Sequence, residues 1–84
     1  MPKKTLAQRV IRYLEDRGSK KELGWDADRS RYIQLSRPGN DNSHYFVGKN
    51  GAVRVGRCAS DTISITGHIH ECMILWEKME GEKS

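Results

Sequence analysis

The stretch FVGKNGAVRVGRC, residues 46–58, decides the fold. Two runs of alternating character flank Asn50-Gly51, the strongest short-range signal for a β-hairpin. With Asn50 and Gly51 as a two-residue loop, Val47 pairs with Arg54, Phe46 with Val55 and Tyr45 with Gly56. Side chains alternate along a strand, so this register puts Phe46, Val53 and Val55 on one face. Tyr45, Val47, Lys49 and Arg54 take the other. Burying Phe46 with two valines is worth several kcal/mol, at about 25 cal/mol per Å2 of apolar surface. Burying unpaired Lys49 and Arg54 costs at least as much. The expectation is therefore Phe46 inward, with Lys49 and Arg54 outward beside Tyr45. Arg57 has core-face parity but leans to the rim at the strand end.

Working outward, Tyr32-Ile33-Gln34-Leu35-Ser36 alternates as a half-buried strand with Ile33 and Leu35 on its core side. Residues 37–43, from Arg37-Pro38-Gly39 to Ser43, are turn formers and read as a loop. Thr62–Thr66 alternates again as a further strand, and Thr66-Gly67 caps a closing segment, His68–Met79. Its apolar residues Ile69, Cys72, Met73, Trp76 and Met79 fall at helical intervals, which favours a helix; the run Cys72–Trp76 alone also fits a buried strand. Residues 81–84 are expected to fray. At the other end, Thr5-Leu6-Ala7-Gln8 has capping-box spacing, and Leu6, Val10, Ile11 and Leu14 recur at helical spacing before Gly18. This predicts a helix over 5–17. Ser19-Lys20-Lys21-Glu22 repeats the capping-box spacing and predicts a second, short helical turn. That pair looks like the opening of a helix-turn-helix unit, but Asp26–Arg31 lacks the apolar period of a recognition helix.

Eighty-four residues make one domain with a small core, which leaves no room for a deep catalytic cleft. Two cysteines are too few for a disulfide framework and read as reduced thiols of a cytoplasmic protein. No apolar run approaches the length of a membrane span, and Gln8, Arg9 and Arg12 interrupt any signal-peptide core. The net charge of +4 is unevenly spread: the first 59 residues are basic, the rest acidic. That polarity suits an anionic partner for the basic body, or internal charge complementarity between the two ends.

Three groups of residues carry candidate chemistry. Tyr32, Tyr45, Lys49 and Arg54, with Arg57 at the rim, share the expected outer face, where rings stack on bases and cations meet phosphates. Against this, surface strands are commonly polar and tyrosine-bearing. Arg9 and Arg12, three apart on the first helix within a stretch that also holds Lys3, Lys4, Arg17, Lys20 and Lys21, suit a phosphate track. The plainer reading is a solvated helix face paired with Glu15 and Asp16. His68, His70 and Cys72, with Cys58, would form a zinc set only on a strand; on a helix His70 leaves the other two. Ordinary histidines beside a buried cysteine are the default, so no metal and no cofactor is expected. Ser60-Asp61 with His68, or Cys72 with His70, lie in no nucleophile-bearing motif, and no phosphate-binding glycine motif is present. The chain reads as a non-enzyme.

Phe46–Arg57, followed by Ser60-Asp61 and Ser64, resembles a segment of small bacteriophage and prophage proteins. The resemblance implies a compact accessory protein that binds rather than catalyses, and it carries over no functional residues. The expected architecture is α+β: an antiparallel sheet of three to four strands, with the N-terminal helix and a C-terminal helix on one face. The expected function is binding of a host protein or nucleoprotein complex, with direct nucleic-acid binding as the alternative and no membrane partner. The chain is expected to be a monomer or a homodimer, with Ile33–Leu35 as a candidate edge seam.

Overall fold

The structure, a computed structural model, describes residues 4–23, 32–58 and 60–83. Helix α1 spans Leu6–Asp16; the strands are β1 (Lys21–Leu23), β2 (Tyr32–Arg37), β3 (Asn40–Gly48), β4 (Val53–Cys58) and β5 (Asp61–Ser64); helix α2 spans Thr66–Lys83. All neighbouring strands are antiparallel and follow chain order, β1 to β5. The fold is α+β, as expected, with one strand more than the upper estimate. The extra strand is β1, where the spacing at Ser19–Glu22 predicted a helical turn. Lys20 accounts for the change: its N–H donates to Ser36 Oγ at 2.9 Å and its carbonyl accepts Ser36 N–H at 2.8 Å, which docks this segment on β2. Strand β2 is consequently an inner strand, with Ile33 and Leu35 buried, and cannot be the edge seam. Asp26–Arg31 lies outside the described residues.

Helix α1 forms as its caps dictate. Thr5 Oγ1 accepts Gln8 N–H while Thr5 N–H donates to Gln8 Oε1, satisfying two end donors reciprocally. Its Ala7, Val10, Ile11 and Leu14 stripe packs with Ile33, Leu35, Val47 and Val53 of the sheet and with Ile69 and Met73 of α2 in one core. Both helices therefore cover the same sheet face. Segment 66–83 is a helix, which settles the strand alternative, and it begins earlier than expected. Thr66 does not cap it: the Thr66 hydroxyl accepts Val53 N–H at 3.0 Å and donates to the Val53 carbonyl at 3.1 Å, pinning the first turn to β4. Residues 37–43 are not an open loop. Pro38-Gly39 makes a tight turn, with Gly39 at φ 78°, and the remaining residues enter β3 with a bulge opposite Ser36 and Arg37.

The central hairpin differs from expectation by one residue. Val47 pairs with Val53, Phe46 with Arg54 and Tyr45 with Val55. A two-residue type I′ loop needs positive φ at both positions, and among the described residues only glycines have it. The loop is instead Lys49-Asn50-Gly51: Gly51 N–H donates to the Gly48 carbonyl, Gly48 N–H donates to the Ala52 carbonyl, and Gly51 sits at φ 89°. This three-residue turn slips β3 by one position and so exchanges its faces. Val47 and Tyr45 point toward the helices, where Val47 and Val53 are fully buried. Phe46 is buried on the opposite face, edge-on to the rings of Tyr32 and His44, each centroid 6.3 Å away. The expected grouping of Phe46 with Val53 and Val55, and of Val47 with Arg54, is thus incorrect.

Candidate functional site

The slip divides the outer-face constellation. Tyr32 and Arg54 remain on the outer face with Gln34, His44 and Phe46, but Tyr45 turns to the helix side. Lys49 stays exposed in the turn. Arg54 is half-buried, its guanidinium donating to Thr62 Oγ1 at 2.6 Å and to the Thr62 carbonyl at 3.0 Å. Arg57 is exposed, 3.5 Å from Asp61. No continuous aromatic and cationic platform results from these residues.

On α1 the cations serve the helix pair. Arg9 grips Glu77 of α2 through two hydrogen bonds, 3.0 Å from Nε and 2.6 Å from Nη2. These bonds hold the Glu77 carboxyl below the usual carboxylate range, against an opposing effect of burial. Arg12 lies over the Trp76 ring at 5.8 Å, and Trp76 meets Tyr13 edge-on at 5.7 Å. Part of the basic-to-acidic polarity in the sequence is therefore spent joining α1 to α2.

The His/Cys set separates as a helix requires. His68 and Cys72 sit one turn apart with Nε2 and Sγ 3.9 Å from each other, whereas His70 Nε2 donates to the Gly51 carbonyl at 2.7 Å. Cys58 is exposed on β4, and the nearby Ser60 hydroxyl lowers its thiol pKa. Among the described residues no three potential ligands converge on one point.

What sequence reasoning missed is a cleft at the C-terminal end of α1. Its larger lobe, about 350 Å3, lies between α1, the sheet and the start of α2; Tyr13, Val55, Ile69 and Cys72 line it. A smaller lobe of about 200 Å3 is lined by Leu14, Ser19 and Pro38. The lobes share Arg17, Arg37 and Tyr45, and among the described residues neither lining includes a carboxylate. Arg37 reaches this side because it has the parity of Leu35, which faces the helices, just beyond the end of α1. Tyr45 arrives there through the hairpin slip. The Tyr13 phenol is pushed up chiefly by burial, with the Arg17 guanidinium pulling the other way, so it is a protonated donor at neutral pH. Arg17 was visible in the sequence only as one of many basic residues, and Arg37 only as a loop residue.

A second feature is apolar. On α2, Ile74, Leu75 and Met79 are 45%, 61% and 58% exposed, on the side away from Ile69 and Met73. Leu75 and Met79 are one turn apart and adjoin each other, whereas Ile74, next to Leu75 in sequence, projects from a different side of the helix. Among the described residues, no helix is long and apolar enough to cross a membrane. No protein-family model, curated protein or solved structure matches this chain.

Proposed function

We propose that this chain is a small non-enzymatic binding protein, of the accessory kind found among bacteriophage and mobile-element proteins, that docks a partner protein through the outer side of α2. The adjoining exposure of Leu75 and Met79 carries this reading, with Ile74 exposed on the neighbouring side of the helix. Single exposed apolar side chains are ordinary, but an adjoining pair on the outer side of a helix whose inner side already fills the core is a docking surface. The core has no need of them, since Ile69 and Met73 already supply the inward contact. Exposed Glu71 and Glu80 lie on the same helix, and residues 60–84 hold five acidic side chains against two lysines. The partner that fits is an amphipathic segment with an apolar stripe and basic flanks. Direct nucleic-acid binding draws less support, because Arg9 and Arg54 are already engaged and Tyr45 is on the other face.

The test is site-specific photo-crosslinking in the source cell, with the probe at Leu75 or, for comparison, at Lys49. A discrete adduct with a different protein from Leu75 alone, lost when Met79→Lys is added, supports the reading. Adducts only with a second copy of the chain, equal adducts from both positions, or none at all would overturn it.

A further inference from the structure

We propose that the cleft between the end of α1, the β2–β3 turn and α2 is a binding site for a small phosphorylated molecule. Its phosphate sits between Arg17 and Arg37, and its apolar or aromatic body lies in the larger lobe. The site is separate from the α2 surface described above.

The electrostatics come first. Elsewhere, Arg9 is paired with Glu77 and Arg57 with Asp61. Arg17 and Arg37 have no ion pair among the described residues. Each is positioned by a neutral group instead: Arg37 Nη1 donates to the buried Ser43 Oγ at 2.9 Å, and Arg17 lies over the Tyr13 ring at 5.7 Å. Among the described residues, both guanidiniums are therefore held in place without an acidic partner, in a concavity whose described lining has no acid. Two such forks are suited to the several oxygens of a phosphate.

The second observation is independent of charge. Ser19, in the smaller lobe, is only 4% exposed, and its hydroxyl has no hydrogen-bond partner among the described residues. A buried hydroxyl without a partner costs free energy, and an oxygen-bearing ligand in that lobe would satisfy it. Ser19 is fixed there by the α1 stop: its N–H donates to the Leu14 carbonyl at 3.0 Å, while Gly18 takes φ 104° and packs against Pro38. The third observation is shape. The larger lobe combines Val55, Ile65 and Ile69 with the rings of Tyr13 and Tyr45, a wall suited to a flat or apolar group, and its size is that of a small-molecule site.

Phenyl phosphate is the probe, with inorganic phosphate and phenol as partial ligands, followed by amide chemical-shift titration of the whole chain. The expected result is saturable shifts centred on Ser19, Arg37, Tyr45 and His68, with phenyl phosphate tighter than either part. Arg17→Gln should weaken binding by about ten-fold or more, since one charge-assisted contact is lost. Arg37→Lys should weaken it less than Arg37→Gln, while Ser19→Ala weakens it several-fold. Arg17 and Arg37 are exposed, so these variants are expected to fold, and circular dichroism checks it. If Arg37→Gln unfolds, Arg17→Gln alone decides. No saturable shift at millimolar probe, shifts centred on Lys49 and Arg54, or affinity unchanged in a folded Arg17→Gln would each overturn the assignment.

Discussion

Gly51 carries more of the structure than its place in a surface turn implies. Its φ of 89° is left-handed, and a Cβ built on it would lie 2.5 Å from Leu6 Cγ of α1. Leu6 cannot simply rotate away, because its own Cβ would be only 3.0 Å distant. Gly51→Ala is expected to cost more than about 1 kcal/mol from the backbone alone, with the clash added. Lys49→Ala in the same exposed turn should stay within about 0.5 kcal/mol. Urea unfolding of the two variants checks both figures. Gly56 is constrained differently: a Cβ there would collide with the backbone of Asp61 and Thr62, at the bulge where β4 and β5 approach closely. At the same scale, the Arg9–Glu77 pair makes stability depend on pH. The Glu77 carboxyl is depressed in the folded chain. The pair's contribution is therefore fully present above the unfolded glutamate value of about 4.3 and is lost as pH falls through the lower folded value. Both side chains are roughly a third exposed, so the effect is at most about 1 kcal/mol. Measured by urea midpoints, the gap between the native chain and Glu77→Gln should narrow as the solution is acidified below that range.

At the scale of elements, the hairpin slip has a direct mutational signature. With Val47 fully buried among α1, β2 and β4, Val47→Asp should abolish folding, because no partner there can satisfy a carboxylate. In the register expected from the turn sequence alone, Val47 would face solvent and the substitution would be mild. Circular dichroism of this one variant separates the two registers. The slip is held from outside the hairpin: His70 of α2 donates to the Gly51 carbonyl, and Leu6 of α1 packs on the same glycine. His70→Ala is expected to cost about 1 kcal/mol and to speed hydrogen exchange in the Gly48–Ala52 turn.

At the scale of the whole molecule, one core between two helices and one sheet face supports the fold. Met73 is 1% exposed within it, and Leu75, two residues along the same helix, is 61% exposed. Met73→Lys should unfold the chain, since a small domain has little stability to spare. Leu75→Lys should leave thermal stability within about 0.5 kcal/mol while removing the proposed protein contact. A pair of melting curves tests this division between core and surface on α2.

Periodicity and the Thr5–Gln8 cap determined α1, β2 and α2, but not β1 or the start of β3, where the Ser19–Glu22 capping spacing and the turn formers of 40–43 became strand. The Thr5–Gln8 capping box, the α1 stripe, the Ile33/Leu35 alternation and the helical spacing of Ile69, Met73 and Trp76 all act over one turn or one strand, and those interactions are local. The side-by-side placement of a basic first helix and an acidic last one was also legible, because opposite charge and shared apolar faces admit that arrangement. Face assignment in β3 was not. Asn50-Gly51 is compatible with loops of two or three residues, and the choice between them rests on contacts from α1 and α2, more than ten residues away in sequence. The cleft was hidden for the same reason: Arg17, Ser19, Arg37 and Tyr45 come from a helix end, a connector and two strands. Only packing α1 against the β2–β3 turn brings their charges and hydroxyls around one space.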